Sequence, residues 1–198
     1  MCELRNNQHI KTLRKRLPFS TGRCRYIGIL ACENIYSIIR EIKPDIIVET
    51  GIDRGVSTTY ILLALQKNGK GKLISVDKNA DAGKLVPQEL KQYWEQKVGK
   101  TSDILPKLDI DLVDIFLHDS LHTYENMLFE YRWAYSKLAE NGCIMSHDIG
   151  TNNSFYDFAK EVESEVQYVL TAKNRYGVGV ITKYTGRVRY ETPHVLSC

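Results

Sequence analysis

The chain has 198 residues and a formal net charge of +3, with 43% hydrophobic and 26% charged content. That is long enough for one domain with a full core, the composition excludes a disordered chain, and no apolar run nears the roughly 20 residues that span a bilayer. The charge is uneven: residues 1–25 carry seven Lys and Arg against one acid, Glu3, so the remainder is slightly acidic.

The first twenty residues are charged and lack an apolar core, so they do not read as a secretory signal, and a cytoplasmic location is the default. The five cysteines are scattered, odd in number and without metal-ligand spacing. They read as free thiols in a reducing compartment. "KTLRKR" reads as a solvated arm or first helix, and no basic face interleaved with aromatics accompanies it, so nucleic acid is not an expected partner. The expected organisation is a basic arm or helix over 1–28, a body over 29–184 and a tail over 185–198.

In chain order, "ACENIYSIIREI" places Ile35, Ile38, Ile39 and Ile42 at helical spacing, with Pro44 as a stop. "DIIVET" is a β-branched run that reads as a buried strand. "STTYILLALQKNGKG" predicts a helix begun by a Ser/Thr cap and ended at Gly69. "KLISVD" is a second strand closing on Asp77. "VPQELKQYWEQKVGK" predicts a helix with Pro87 near its start, followed by a short third strand around Val98–Ser102. "DLVDIFLHD" is a clear strand. "TYENMLFEYRWAYSKLAENG" predicts a helix with Met127, Leu128, Tyr131, Ala134, Tyr135 and Leu138 on one face, stopped at Asn141-Gly142. "CIMSHD" is another strand, and "SFYDFAKEVESE" a helix capped by Ser154. "VQYVLT" and "GVGVITKY" are strands joined only by "AKNRY", too short for a crossover, so they should pair antiparallel. The alternation predicts an α/β fold: a Rossmann-like, doubly wound, mostly parallel seven-stranded sheet with an antiparallel C-terminal hairpin.

In such a sheet ligands sit beyond the carboxyl ends of the strands. Those ends carry Glu49 with Gly51, then Asp77, Asp119, and His147 with Asp148, while Asp103 falls where the third strand would finish. One acid after a strand is usually a turn former or cap; a set of them is not well explained that way. "IIVETGIDRGVS" spaces Gly51 and Gly55 as G-x-x-x-G with Glu49 before them and Asp53 between, and no Walker lysine follows. A polyphosphate would meet repulsion there. A ligand with an ammonium group, a sulfonium centre and a ribose diol would not, and S-adenosylmethionine has all three.

"VETGIDRGVSTTYILLAL", "LISVDKN", "FLHDSLHTYE" and "NGCIMSHDI" together resemble the class I S-adenosylmethionine-dependent methyltransferases, and within them the small-molecule O-methyltransferases that include the macrocin and macrolide-sugar enzymes. The resemblance spans about residues 30–184. It implies that Gly51 and Gly55 let the backbone approach the methionine part of the cofactor, that Glu49 anchors that end and that Ser57 contacts the carboxylate. It further implies Asp77 on the ribose hydroxyls, Asp103 near the adenine and Asp119 among the cofactor contacts as well as the metal ligands. The turn departs from the commoner G-x-G-x-G.

The same resemblance implies a divalent cation, magnesium first, held by Asp119, His147 and Asp148, with His122 as general base. A cation acidifies a coordinated hydroxyl, and a histidine near its ordinary pKa can take the proton. Imidazole is a poorer magnesium ligand than carboxylate, which leaves manganese, iron or zinc open. The bland alternative gives His122 and His147 only orienting hydrogen bonds, and His118 reads as structural because strand alternation turns it to the other side. The expected partner is a small hydroxylated acceptor, with no membrane; a homo-oligomer is left open, and the tail reads equally as packing on a partner or as flexible. Rival readings are a degenerate cofactor-binding module and a nicotinamide-dependent oxidoreductase, the latter opposed by the missing G-x-G-x-x-G. Tyr93, Trp94 and the "GTNNSFYD" loop are candidate substrate contacts by position alone.

Overall fold

The computed structural model describes residues 4, 7–16, 28–169 and 178–183. Its helices are α1 (Gln8–Arg16), α2 (Ile29–Ile42), α3 (Val56–Asn68), α4 (Tyr124–Lys137) and α5 (Ser154–Glu161). Its strands are β1 (Ile46–Thr50), β2 (Lys72–Asp77), β3 (Trp94–Val98), β4 (Val113–His118), β5 (Leu138–Ser146), β6 (Gln167–Val169) and β7 (Val178–Thr182). They form one sheet in the order β3-β2-β1-β4-β5-β7-β6. Pairing is parallel from β3 through β5, and β7 runs antiparallel to both β5 and β6. The expected architecture is therefore present. Among the described residues no helix is long and apolar enough to cross a membrane.

Period-two alternation sorts the strand residues into two layers. Ile47, Ile115, Leu117 and Met145 face α2 and α3, where Ile35, Ile39, Tyr60 and Leu62 are buried. Val48, Phe116 and Ile144 face α4 and α5, where Met127, Tyr131, Phe155 and Phe158 are buried. Tyr135, expected on that buried face, is only partly covered. Cys32 and Cys143 are buried free cysteines; Cys2, Cys24 and Cys198 lie outside the described residues, as do "AKNRY" and the tail over 185–198.

Several local expectations need correction. The segment from Val86 is no long helix: a 3-10 helix, Gln88–Tyr93, runs directly into β3 at Trp94, and the third strand expected around Val98–Ser102 lies earlier, ending at Val98, while Thr101 and Ser102 begin the short helix Thr101–Ile104. Strand β3 is an edge strand with half-buried side chains, paired among the described residues to β2 alone. No hydroxyl caps α3. Its N-cap is Gly55 in the left-handed region, and the Ser57 and Thr58 side chains turn inward. Helix α4 ends at Lys137 rather than at Asn141-Gly142, and β5 begins at Leu138. The N-cap of α5 is Asn153, not Ser154.

The basic N-terminal segment is not a free arm throughout. Leu4 and Ile10 are 2% and 0% exposed within the α2–α3 core. Truncating Ile10 to alanine is expected to destabilise the protein by about 2–4 kcal/mol, as for other buried isoleucines. Urea denaturation checks this; an unchanged midpoint would show that the segment only rests on the body.

Candidate active site

Strand β1 lies where the chain reverses direction across the sheet, with β2 on one side and β4 on the other. The crevice beyond this switch point is where an open α/β sheet binds ligands. The last residues of β1 point alternately into the two layers. Glu49, fully buried, accepts hydrogen bonds from Ser57 Oγ (2.7 Å), Thr58 Oγ1 (2.8 Å) and Ser75 Oγ (2.8 Å) on the α3 side. Burial raises its pKa against those three hydrogen bonds, with help from the charge of Asp119, to about 7. Thr50 points the other way and donates to Glu130 Oε2 of α4 at 2.6 Å.

Gly51 follows at φ +83°, and a Cβ there would lie 2.0 Å from the Asp119 carbonyl oxygen. Only glycine lets the two strand ends come this close. Gly55, at φ +87°, is packed instead against Gly83 and Val86 of the next loop, and Gly83 N donates to Asp53 O across that contact at 2.8 Å.

A cavity of about 510 Å3 opens between these ends, lined by Gly51, Asp77, Gly99, Thr101, Ser102 and Asp119 among others. That volume suits a ligand of cofactor size. Asp77, at the end of β2, faces it while bracing the glycine turn: Oδ2 accepts from Ile52 N (2.8 Å) and Asp53 N (3.2 Å), and Oδ1 from Asn79 N (2.9 Å). Each carboxylate oxygen has two lone pairs, so acceptor capacity remains on the cavity side. Asp103 does not join the site. It is exposed on the 101–104 turn, where it accepts from Ser102 Oγ at 3.2 Å, while Thr101 and Ser102 line the cavity. Trp94 is likewise structural: its indole donates to Ser75 Oγ (2.9 Å), and its ring covers Gly83.

At the ends of β4 and β5 the structure brings together Asp119, His122, His147 and Asp148. His147 Nδ1 lies 2.9 Å from Asp119 Oδ1, and His147 Nε2 lies 3.5 Å from Asp148 Oδ1. His122 Nε2 is 3.8 Å from Asp119 and 4.0 Å from Asp148, beyond hydrogen-bond reach of either. It is buried without a hydrogen-bond partner. Burial, and next the nearby His118, lower the His122 pKa against the pull of Asp119 and Asp148. Burial also opposes charge on His147, but the Asp119 hydrogen bond and the two acids outweigh it and raise that pKa. The neighbouring imidazoles are thus tuned in opposite directions.

Asp119, His122 and His147 offer one ligand atom each, all within 4.8 Å of one another, so they could close on one metal ion. Asp148, at φ 52°, lies outside that triad but beside it, with carboxylate oxygens 3.5 Å from His147 Nε2 and 4.0 Å from His122 Nε2. The donor set suits a divalent cation, and its imidazoles suit a transition ion better than magnesium. In the loop after Asp148, Asn152 Nδ2 donates to the His122 carbonyl at 3.2 Å and so ties that loop to the cluster. The residues missed from sequence are Thr101 and Ser102, displaced from view by the misplaced third strand, and Glu130, whose one sequence signal is an acid inside the apolar stripe Met127–Tyr131–Ala134.

A model of the methyltransferase domain family matches residues 48–149, just over half of the chain, and the chain belongs to that family. Its fold is similar to that of the O-methyltransferase TomG from Streptomyces achromogenes, involved in tomaymycin synthesis and solved in complex with S-adenosylmethionine. The TM-score is 0.70 at 14% identity, covering 91% of each chain. It is also similar to the O-methyltransferase from Bacillus cereus in complex with S-adenosylhomocysteine, at a TM-score of 0.66 and 13% identity over 92% of this chain and 91% of that one. At these identities the likeness is one of fold. No curated protein matches the chain significantly.

Proposed function

We propose that the protein is an S-adenosylmethionine-dependent O-methyltransferase acting on a hydroxyl of a small molecule, assisted by a divalent cation. One observation carries this reading: the cavity at the β1–β4 switch point, opened by Gly51 and faced by Asp77, shares Asp119 with the His-Asp cluster. A cofactor cavity and a proton-accepting, cation-holding cluster therefore meet at one residue. Both solved relatives carry the cofactor or its product, which supports the assignment.

In this reading Asp77 accepts from the ribose hydroxyls, and Gly51 gives the backbone room to approach the methionine end. Glu49 and Ser57 are bonded to each other, so they shape that end from behind. S-adenosylmethionine held there would supply an electrophilic methyl on sulfur for transfer to the acceptor oxygen, with S-adenosylhomocysteine as the leaving group. His122 takes the hydroxyl proton at Nε2, a buried, unpartnered nitrogen held neutral by its lowered pKa. Asp119, His147 and Asp148 would hold the cation, which would supply Lewis acidity toward the acceptor hydroxyl. The convergence of His122 with Asp119 and His147 supports a second assignment, in which His122 is a ligand and not the base.

The test is calorimetric titration of S-adenosylmethionine, S-adenosylhomocysteine and NAD, each with and without Mg2+ or Mn2+. Micromolar binding of the first two, weakened at least about tenfold by Asp77→Ala through loss of charge-assisted hydrogen bonds, is expected. Binding of NAD alone would hand the site to the oxidoreductase reading. His122→Ala separates the two histidine roles: as a base it leaves Mn2+ affinity intact, as a ligand it takes most of it away.

A further inference from the structure

Helix α4 buries an acid that the proposed chemistry does not use. Glu130 is 0% exposed, one turn from Met127 and next to Tyr131, both fully buried. A carboxylate in such a layer is costly unless its oxygens are satisfied. Here they are saturated. Oε1 accepts from Ser120 Oγ (2.7 Å) and Asn126 Nδ2 (2.9 Å), and Oε2 from Thr50 Oγ1 (2.6 Å). His118 Nδ1 meets Oε2 at 2.7 Å, and facing a carboxylate it is the donor. Burial pushes the Glu130 pKa up, but these donors, His118 foremost, bring it below the usual carboxylate range.

The origins of those donors give the acid its meaning. Thr50 ends β1 and His118 ends β4, each the residue just before its strand's member of the Gly51–Asp119 contact. Ser120 belongs to the loop that carries Asp119 and His122. Asn126 also donates to the Leu121 carbonyl at 3.0 Å, and its Oδ1 accepts from Thr101 Oγ1 of the cavity wall at 3.3 Å. The His118 ring stands edge-on to the His122 ring, centroids 5.1 Å apart. One carboxylate thus ties together both strand ends, the 119–122 loop and, through Asn126, the far wall of the cavity, without lining the cavity itself.

We propose that Glu130 is a positioning residue. It sets the 119–122 loop so that the Asp119 carboxylate and the His122 imidazole meet His147, and it orients His118 beneath them. The inference rests on the methyl-transfer reading for its purpose, but not for its geometry. Stability alone does not single this acid out, since removing it would strand its donors whatever their task; what does is that, directly and through Asn126, it holds Ser120 and Leu121, the residues between Asp119 and His122.

The test compares Glu130→Gln, which keeps the shape but turns a donor toward one pair of donors, with Phe158→Leu, a buried variant in the same layer whose ring meets Tyr131 and Tyr135. Three quantities are read on the full chain: thermal midpoint, Mn2+ affinity by water-proton relaxation, and histidine-ring signals in nitrogen-15 spectra. Both variants should lose stability. Only Glu130→Gln should broaden or shift the His122 and His147 rings and weaken Mn2+ by at least about tenfold, the usual cost of removing a group that orients metal ligands. Ring signals in Glu130→Gln that coincide with the parent's, or that move equally in Phe158→Leu, would overturn the proposal. If the parent binds neither Mn2+ nor S-adenosylhomocysteine, the methyl-transfer reading falls, and the ring spectra alone decide the positioning role.

Discussion

Gly51→Ala is expected to weaken S-adenosylhomocysteine binding at least about a hundredfold, or about 2.7 kcal/mol. The added methyl would sit 2.0 Å from the Asp119 carbonyl oxygen, 2.5 Å from its carbon and 2.9 Å from Ser120 N, all backbone atoms. Neither side can step aside easily. Gly51 N donates to Val76 O at 2.9 Å and Asp119 N to Thr50 O at 2.8 Å, so both partners are held as continuations of the sheet ladder. Relief of the clash must part β1 from β4 at their carboxyl ends, which is where the cavity lies. Gly69→Ala is the matched control: φ is +70°, nothing lies within 4 Å of its Cβ, and it caps α3 at the opposite end from the site. It should cost about 1 kcal/mol of stability and leave ligand affinity alone. Binding by Gly51→Ala within threefold of the parent would mean that the cofactor does not enter between these strands.

The contrast between the two glycines shows which features could be read from sequence. Spacing marked Gly51 and Gly55 as equivalent members of one motif, yet only Gly51 opens the crevice; Gly55 serves a contact with residues 83–86 that no linear pattern announces. Strands β1, β2, β4 and β5 were legible because they are buried on both faces and read as apolar runs. Strand β3, "WEQKV", was not, because an edge strand can carry polar residues on half-exposed faces and its pattern resembles a charged helix. Glu95 bridges to Lys72 of β2 across the strands and to Lys97 along its own, and the cross-strand pair is one that only the paired sheet reveals.

That single misplacement moved the adenine-side expectation onto Asp103, while Thr101 and Ser102 reach the cavity. The acids at the ends of β1, β2, β4 and β5 were found because the rule that locates them is topological: once the strands are right, their ends are right. What the ends do is a separate question. Glu49 and Asp77 look alike as strand-terminal acids, but Glu49 lies one residue inside β1, caged by the Ser57 and Thr58 hydroxyls of α3, whereas Asp77 is the last residue of β2 and faces the cavity. Glu130 escaped notice because a glutamate on a helix is ordinarily solvated, and only the four donors around it identify a different task.

Glu49 also makes the stability of the fold depend on pH in a direction that can be stated. Its carboxyl is fully buried, and its pKa is raised from 4.5 to about 7, burial outweighing the hydrogen bonds of Ser57, Ser75 and Thr58. Between those values the folded state holds a proton that the unfolded chain releases. Stability linked to this group is therefore present in full below pH 4.5, declines as pH rises through the window and is gone above the folded pKa. At 1.36 kcal/mol per unit, the total is about 3 kcal/mol. Glu49→Gln removes the titration while keeping the shape, and the three hydroxyls can each turn to accept from the new amide. Relative to the parent, the variant should thus gain about 3 kcal/mol between pH 4.5 and pH 8 in urea denaturation. Parallel stability profiles for the two proteins would show that the hydroxyl cage, and not burial, governs this carboxylate, and that Glu49 stands ionised behind the cavity throughout.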